Sequence, residues 1–419
     1  METRVALSGE PPTGPNLTPH NPDRADPGST GEVPARSVAD RPLPFPAFRD
    51  IVEDALLPAM LLRIVLMAFG LLAVIVFRPD ALPAEPILGV WDRWDAPHFQ
   101  EIARHGYGPP ADPARIVLFP LFPALMAAGA LVVSPLVAGS VISFVATLVA
   151  VAGLYVLARW DSGDRARGRT AVLALVLFPT AFALVAPYSE ALFLATAIWS
   201  FVRARRGDWL GAGILAALAG ATRLQGVFLL AALAVEYLAM LRREPDPARR
   251  RPIRVARDLA ALAIGAIGPA VYLAINWLTF GSPLHFLTTQ AEVFQVRTTV
   301  PWEALRNLVG SVTSSQLGEF WATVYLAPLV ALVILAIATA WTVIGAGSRP
   351  GYATYTALHL VSFSTLTWPI SVPRYILTVF PIALAAARLP AWLAGPALAA
   401  STLLLGVCTT LFVIGHWAF

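Results

Sequence analysis

Long apolar blocks alternate with short polar stretches from about residue 54 to the end of the chain. The blocks are roughly 17 to 25 residues long, which is the length an α-helix needs to cross the hydrocarbon of a bilayer. They are apolar on all sides, whereas the strands of a transmembrane barrel alternate apolar and polar residues. The pattern predicts an all-α polytopic membrane protein with apolar blocks at about 54–77, 116–136, 138–158, 171–186, 188–203, 209–222, 226–241, 259–280, 320–345, 352–369, 375–390 and 392–415.

Three polar regions interrupt or precede this pattern. Residues 1–50 are rich in Pro, Gly, Asp and Arg and show no apolar periodicity, so we predict a disordered tail. The transmembrane domain is predicted to occupy residues 51–419. Within it, the loops 78–115 and 281–318 are much longer than the other connections between blocks.

The distribution of arginine predicts which loops face the cytoplasm, because short cytoplasmic loops carry an excess of basic residues. The stretch 241–257 contains seven arginines and is therefore predicted to be cytoplasmic, and RARR at 203–206 should share that side. Counting spans from there places 281–318 outside, together with the short stretches 222–226 and 370–375.

One region does not fit a simple count of spans. If loop 78–115 is outside, two spans return the chain to the outside at 159–169, which is rich in arginine. The simplest topology that restores agreement makes 171–186 a short re-entrant segment, with PYSE (187–190) at the outer surface of the membrane. Non-helical backbone at membrane depth needs protein or a water-filled cavity around it. We therefore expect about 11 full spans (10 to 12) and a cavity beside PYSE.

Composition argues against several classes of protein. Hydrophobic residues make up 57% of the chain and charged residues 13%, whereas soluble domains have about half and about a quarter. The net charge of +4 resides in arginine clusters between spans, so topology explains it and no nucleic-acid partner is expected. The sequence has no P-loop and no G-x-G-x-x-G after a strand, which argues against a sugar-nucleotide donor. The single cysteine, Cys408, cannot form an internal disulfide.

The loop after the first apolar block carries many titratable side chains. Its sequence GVWDRWDAPHFQEIARHGYGPP contains Asp92, Asp95, His98, Glu101 and His105. Asp95 precedes an Ala-Pro pair, so a helix is expected to begin there with Asp95 as its N-cap. His98 follows three residues later and should lie on the same face of that helix.

A carboxylate at the membrane surface suits the transfer of a sugar to an alcohol. The attacking hydroxyl loses a proton, which Asp95 could accept as a general base, and Asp92 could share that role. The N-cap and general-base interpretations are compatible, because a capping carboxylate is rigidly aimed. Two carboxylates could also bind a divalent cation, but Asp-Arg-Trp-Asp has no recognised ligand spacing. Neither a metal nor another cofactor is therefore expected.

Three more charged residues lie in or beside apolar blocks. Glu190, in PYSEALF, would be costly in lipid and should face a cavity or a partner. An ion pair with Arg223 that merely joins two helices is the alternative interpretation. Arg223, in GATRLQG, and Arg374, in SVPRY, lie at predicted outer ends of spans, against the positive-inside trend. Snorkelling could explain either arginine, but both guanidinium groups match the phosphate of a lipid-linked sugar.

The stretches RWDAPHFQEIARHGYGP, FPLFP, PYSEALF, GATRLQG and SVPRY resemble the PIG-V-type (GPI mannosyltransferase II-like) mannosyltransferase family, over about residues 55–390. The resemblance implies a GT-C glycosyltransferase fold and an inverting transfer of mannose from a polyprenyl-phosphate donor. It also implies an active site on the non-cytoplasmic face of the cell membrane. Among the two aspartates, Asp95 inherits the catalytic role, since W-D-A-x-H-F matches the residues from Trp94 to Phe99.

The same resemblance places Tyr188, Ser189, Glu190 and Arg223 in the substrate site. Further substrate-binding candidates are Gln225, Arg374, Tyr375 and His105, and Asp92 and His98 are catalytic candidates beside Asp95. The acceptor is not carried over, because the all-arginine, short-looped chain looks bacterial, whereas eukaryotic members act on GPI intermediates. A lipid, glycan or protein hydroxyl of the cell envelope is the expected acceptor.

Two other interpretations of the sequence stay open. A GT-C transferase that uses another polyprenyl-phosphate sugar would have the same sequence features. A transporter or flippase for lipid-linked sugars would need paired inverted repeats with broken helices. The sequence shows one broken segment, at PYSE, and no matching partner in the other half.

Overall fold

The computed structural model describes residues 43–108, 112–248, 250–315, 318, 321–345 and 349–418. Most of the predicted tail lies outside these residues. Residues 43–50, assigned to the tail from sequence, are described. The indole N–H of Trp160 donates to the carbonyl of Pro44, and the Phe45 ring packs against Trp160 and Trp199. The packed part of the chain therefore begins before residue 51.

The described residues form α-helices joined by short turns, with no strand beyond an isolated bridge between Thr298 and Leu366. This confirms the predicted all-α class. The main helices are α1 (Phe48–Phe77), α2 (Asp95–His105), α3 (Leu121–Gly129), α4 (Pro135–Ser162), α5 (Arg165–Val176), α6 (Glu190–Arg205), α7 (Trp209–Gly220), α8 (Gly226–Arg243), α9 (Pro252–Phe280), α10 (His285–Glu292), α11 (Pro301–Ser314), α12 (Trp321–Ile344), α13 (Pro350–Ser364), α14 (Pro381–Ala386) and α15 (Ala391–Val413).

Within the described ranges, α1, α4, α9, α12 and α15 are long and apolar enough to cross a membrane. The block 116–136 is not a continuous span, which corrects the prediction. It consists of a 3-10 turn (Pro113–Val117) and α3, whose nine residues extend only about 14 Å at 1.5 Å per residue. After loop 78–115 the chain therefore next crosses the bundle in α4, and 159–169 lies at the end opposite that loop. The total number of spans stays a prediction.

The block 375–390 is also interrupted, contrary to the prediction of one helix. It contains the 3-10 turn Ile376–Thr378 and the short helix α14, which follow a helical turn at Val372–Tyr375. Proline occupies the first or second position of both short helices, where its missing N–H costs no hydrogen bond. This interruption brings the backbone around Arg374 into the interior of the bundle.

Four charged side chains join several helices at what we call the Arg-rich end of the bundle. Asp161 of α4 contacts Arg205 of α6 at 2.7 Å and Arg349, before α13, at 3.0 Å. Arg349 also lies 3.1 Å from Glu236 of α8. The helix ends that carry 159–169, 203–206 and 241–257 therefore lie together, in agreement with the predicted common side of the last two stretches.

The segment 177–189, here called the broken segment, connects α5 to α6 without forming a long helix. It contains the 3-10 turn Ala181–Leu184 and is mostly buried. The guanidinium of Arg63, in α1, donates to the carbonyls of Leu184 at 2.8 Å and Val185 at 3.1 Å. Protein groups thus satisfy this irregular backbone, as the low polarity of a membrane interior requires. The backbone of this segment is interrupted as predicted, and Tyr188, Ser189 and Glu190 of PYSE are buried by protein groups. The membrane side on which PYSE lies stays a prediction.

The two long loops meet at the other end of the bundle, here called the loop end. The 3-10 turn Pro113–Val117 packs against α10 (His285–Glu292), and Phe286 of α10 shares a buried cluster with Ile116, Phe119 and Tyr272. Phe119 stacks on Tyr272 with ring centroids 3.8 Å apart, and the Tyr272 hydroxyl donates to the carbonyl of Ile116. The Tyr107 hydroxyl donates to the carbonyl of Leu118, and burial raises the pKa of this phenol, so it stays a donor at neutral pH. Both loops therefore lie opposite the Arg-rich end.

Candidate active site

Asp95 is the first residue of α2 at the loop end. The helix is preceded by Trp94, whose side chain makes no capping hydrogen bond, and the Asp95 carboxylate contacts Arg374 instead. The prediction that Asp95 is an N-cap is therefore wrong by one position. The turn is anchored differently: the Asp95 amide donates to the Tyr188 hydroxyl, which donates to the carbonyl of Arg93. The broken segment thus fixes the start of α2.

The backbone of Trp94 is strained. Its φ of 55° and ψ of −106° lie in a region that bulky L-residues rarely adopt. Such a conformation costs about 1–3 kcal/mol and persists only when surrounding contacts hold it. The strain lies directly before Asp95, the candidate general base.

Four charged side chains form an alternating ion-pair chain beside this turn. Asp95 Oδ2 lies 2.7 Å from Arg374 Nη1, and Arg374 Nε lies 3.2 Å from Glu190 Oε1. Glu190 Oε1 in turn lies 2.8 Å from Arg223 Nη1. The two central side chains are almost fully buried, whereas Asp95 is 29% exposed and Arg223 is 11% exposed. The four charges cancel formally, which makes their burial tolerable.

Aromatic and polar side chains hold the two guanidinium groups. The carbon of the Arg374 guanidinium lies 5.1 Å from the centre of the Tyr188 ring and 5.5 Å from that of Tyr375. Arg223 lies 5.1 Å from the Tyr375 ring, so this ring makes cation–π contacts with both arginines. Arg223 also donates to the Ser189 hydroxyl at 3.0 Å and to the Gln225 side-chain oxygen at 3.4 Å.

The structure thus brings most of the candidate residues together from four separate regions of the chain. These residues are Asp95, Tyr188, Ser189, Glu190, Arg223, Gln225, Arg374 and Tyr375. The Glu190–Arg223 ion pair proposed as a purely structural alternative exists. It is one link of a longer chain that ends on a partly exposed carboxylate.

The other candidates from the loop make different contacts. Asp92 Oδ1 accepts a hydrogen bond of 2.7 Å from the Gln100 side chain. His98 and His105 are exposed on α2. Arg115 donates to His98 Nδ1 at 3.3 Å, and His105 Nε2 lies 3.6 Å from a carboxylate oxygen of Glu101. The two histidines therefore lie in a solvent-facing cluster with Glu101 and Arg115.

No group of three or more His, Cys, Asp or Glu side chains in the described ranges is arranged to hold a metal ion. The site instead consists of a positioned carboxylate, two guanidinium groups and neutral hydroxyl and amide groups. Such a set can orient a hydroxyl, accept a proton and bind an anion, and each of these tasks uses hydrogen bonds that charge strengthens.

Sequence reasoning did not select Arg63, which supports the broken segment from α1. An arginine in the middle of the first apolar block is itself a signal, because a charge at that depth must face a polar partner. The partners here are backbone carbonyls, including that of Ser140 at 3.1 Å. No side-chain pattern would have indicated them.

Comparison with known proteins gives a family resemblance over part of the chain. The chain is similar to GPI alpha-1,6-mannosyltransferase 2 of Cricetulus griseus, with 31% identity over 154 residues, or 34% of this chain and 31% of the relative. The enzymes of the same name from Rattus norvegicus and Mus musculus are 30% and 29% identical over the same length. The chain thus aligns with less than a third of the length of these curated relatives. No family model and no solved structure matches.

These relatives confirm the predicted resemblance to PIG-V-type mannosyltransferases. Apolar helices long enough to span a bilayer agree with a multi-pass membrane protein.

Proposed function

We propose that this protein is a membrane mannosyltransferase that uses a polyprenyl-phosphate-mannose donor. The ion-pair chain ending at Asp95 is the observation that carries the proposal. It joins the two sequence motifs that resemble the mannosyltransferases, RWDAPHF and PYSEALF, through buried Arg374. The acceptor is a hydroxyl of a cell-envelope lipid, glycan or protein, and the active site faces the non-cytoplasmic side of the cell membrane.

In the proposed reaction, the acceptor hydroxyl oxygen attacks the anomeric carbon of mannose. The bond from that carbon to the phosphate oxygen breaks, and polyprenyl phosphate leaves with the bonding electron pair. Asp95 accepts the hydroxyl proton as the new glycosidic bond forms, and the anomeric configuration inverts. The exposure of 29% at Asp95 leaves its carboxylate accessible to an acceptor.

The donor phosphate is assigned to the side of the site that carries Arg223 and Arg374. The planar guanidinium fork matches phosphate oxygens, and Arg223 keeps an exposed edge. Glu190 orients both arginines, while Tyr188, Ser189, Gln225 and Tyr375 hold them or contact the sugar. Asp92 and His98, on or beside α2, remain catalytic candidates beside Asp95, and His105 remains a candidate for substrate binding.

A transfer assay with labelled donors tests the proposal. Membranes that contain the intact protein are given envelope extract and labelled polyprenyl-phosphate-mannose, polyprenyl-phosphate-glucose or a nucleotide-activated mannose. We expect label to enter the extract from polyprenyl-phosphate-mannose alone, and not in membranes without the protein. Transfer from the glucose donor would show that the protein does not transfer mannose specifically. Movement of the intact donor across the bilayer without transfer would favour a transporter.

A further inference from the structure

The last residues of the chain return to the candidate site after α15 ends. Gly415 has a φ of 88°, which glycine adopts without strain, and the amide of His416 donates to the carbonyl of Leu411. This turn places the Trp417 ring edge-on against the Trp94 ring, with centroids 5.1 Å apart and planes at 83°. The geometry is the edge-to-face arrangement that aromatic pairs prefer.

The end of α15 also contacts the broken segment. Phe412 is fully buried, and its ring centroid lies 4.8 Å from that of Phe182 and 5.9 Å from that of Tyr188. It lies 6.1 Å from the Trp91 ring, three residues before Trp94. The C-terminal segment therefore packs on both parts of the chain that position Asp95.

These ring contacts add to the Tyr188 hydrogen bonds that hold the backbone on both sides of Trp94. A bulky residue with positive φ relaxes unless its side chain is held, and the edge-to-face contact with Trp417 holds that side chain. Rotation of the Trp94 backbone would swing the first residue of α2. It would move the Asp95 carboxylate away from Arg374, which lies 2.7 Å from it.

We propose that Trp417 is a positioning residue for Asp95, acting through the backbone conformation of Trp94. The proposal rests on the proposed function for its catalytic consequence. It makes the C-terminal segment, which follows the last apolar block, a part of the active site. Trp417 itself touches no reacting atom in this account.

The first test does not depend on any donor. Hydrogen–deuterium exchange is measured on the full-length protein for the peptide 91–99, which contains the Asp95 amide that bonds to Tyr188. Trp417→Ala should accelerate exchange there, while Trp417→Phe should change it little because it keeps a ring. Trp392→Ala is the matched control, since Trp392 is 76% exposed in the first turn of α15. Equal exchange in all variants would overturn the proposal.

The second test measures the turnover of the same variants. Trp417→Ala should lower kcat by about 10- to 100-fold, the scale of a small misplacement of a reacting group, with donor KM changed less than twofold. Trp417→Phe should recover most of kcat, and the unfolding temperatures of both should stay close. A loss of turnover that merely follows a fall in the folded fraction would contradict a positioning role.

A double variant separates positioning from general packing. Glycine tolerates positive φ without support, so Trp94→Gly removes the need for the Trp417 contact. In that background, Trp417→Ala should have little further effect on kcat or on exchange. Full additivity of the two substitutions would overturn the proposal. An inactive unsubstituted protein would instead refute the proposed function, and the exchange experiment would still decide the role of Trp417.

Discussion

The two ends of the helical bundle each contain two acids and two arginines in alternating contact. At the Arg-rich end the ion pairs follow the order Glu236–Arg349–Asp161–Arg205. The most exposed of these side chains is the cation Arg349, at 31%. At the loop end the ion pairs follow the order Asp95–Arg374–Glu190–Arg223, and the most exposed member is the carboxylate of Asp95, at 29%. The composition is the same, but the accessible group differs.

The surrounding backbone differs as well. The Arg-rich cluster connects helix ends, and the Gly351 amide also donates to Glu236, so the cluster acts as a clamp between helices. The loop-end chain lies beside the broken segment and a strained tryptophan. In the proposed function only the loop-end chain is reactive. It differs from the Arg-rich cluster in having an accessible carboxylate on irregular backbone, which can contact a substrate while its orientation stays fixed.

The largest effect is expected at the arginine that joins the two acids of the loop end. Arg374→Leu leaves Asp95 and Glu190 without their shared partner, and breaking such a buried pair costs about 3–5 kcal/mol. We expect both the folded fraction and the transfer activity to collapse. Arg349→Leu should lower the unfolding temperature less and leave the folded protein active. Similar losses of activity in the two variants, measured per folded molecule, would erase the contrast between the ends.

The next effect separates the two glutamates. Glu190→Gln keeps the shape but removes the charge that orients Arg223 and Arg374, so kcat should fall by about 10- to 100-fold. Glu236→Gln removes the equivalent charge from the clamp and should affect thermal unfolding alone. Steady-state turnover and unfolding of both purified variants check this prediction. Unchanged turnover in Glu190→Gln would indicate that Glu190 only joins helices through its ion pairs.

A smaller effect is expected from replacing the planar guanidinium of Arg223 by an amine. Arg223→Lys keeps the charge but loses the planar pair of donors, which should raise donor KM by about tenfold and leave acceptor KM unchanged. Arg205→Lys is the matched change at the Arg-rich end and should leave donor KM unchanged. Titration of the donor at saturating acceptor measures the donor KM of both variants. A rise in acceptor KM alone would indicate that Arg223 does not bind the donor phosphate.

The smallest change tests the membrane sides of the two ends without altering activity. In a Cys408→Ala background, cysteine is introduced at Asp112 in the first loop or at Arg250 in the arginine-rich stretch. We expect a membrane-impermeant thiol reagent to label position 112 and not position 250 in intact cells, following the positive-inside trend. The reverse pattern would place the candidate site in the cytoplasm.

The sequence predicts the helical membrane class and the charged residues of the candidate site because both depend on local composition, whereas Tyr188 and Ser189 were selected through the family resemblance. Apolar blocks of the right length indicate helices, and isolated charges such as Glu190 and Arg223 within them indicate partners. The residues that meet in the ion-pair chain were therefore identifiable before their distances were known.

The parts that the sequence does not predict depend on contacts between distant segments. The block 116–136 has enough apolar residues for a span, yet its prolines and tertiary packing leave α3 only nine residues long. His98 follows Asp95 by three residues, the spacing expected for one face of a helix. Its ring nevertheless contacts Arg115 on the exposed side of α2. The positive φ of Trp94 and its contact with Trp417 involve residues more than 300 positions apart, which no local pattern records.

A comparison of one aspartate from each end tests directly whether Asp95 is the general base. Asp95→Asn and Asp161→Asn each remove one negative charge and preserve the size of the side chain. Transfer from labelled polyprenyl-phosphate-mannose is measured per folded molecule for both. We expect Asp95→Asn to lose about 100-fold or more of the transfer activity, the scale of losing a general base, with folding retained. Asp161→Asn should lower the unfolding temperature and leave transfer nearly unchanged. Near-normal transfer by a folded Asp95→Asn variant would show that Asp95 is not the general base.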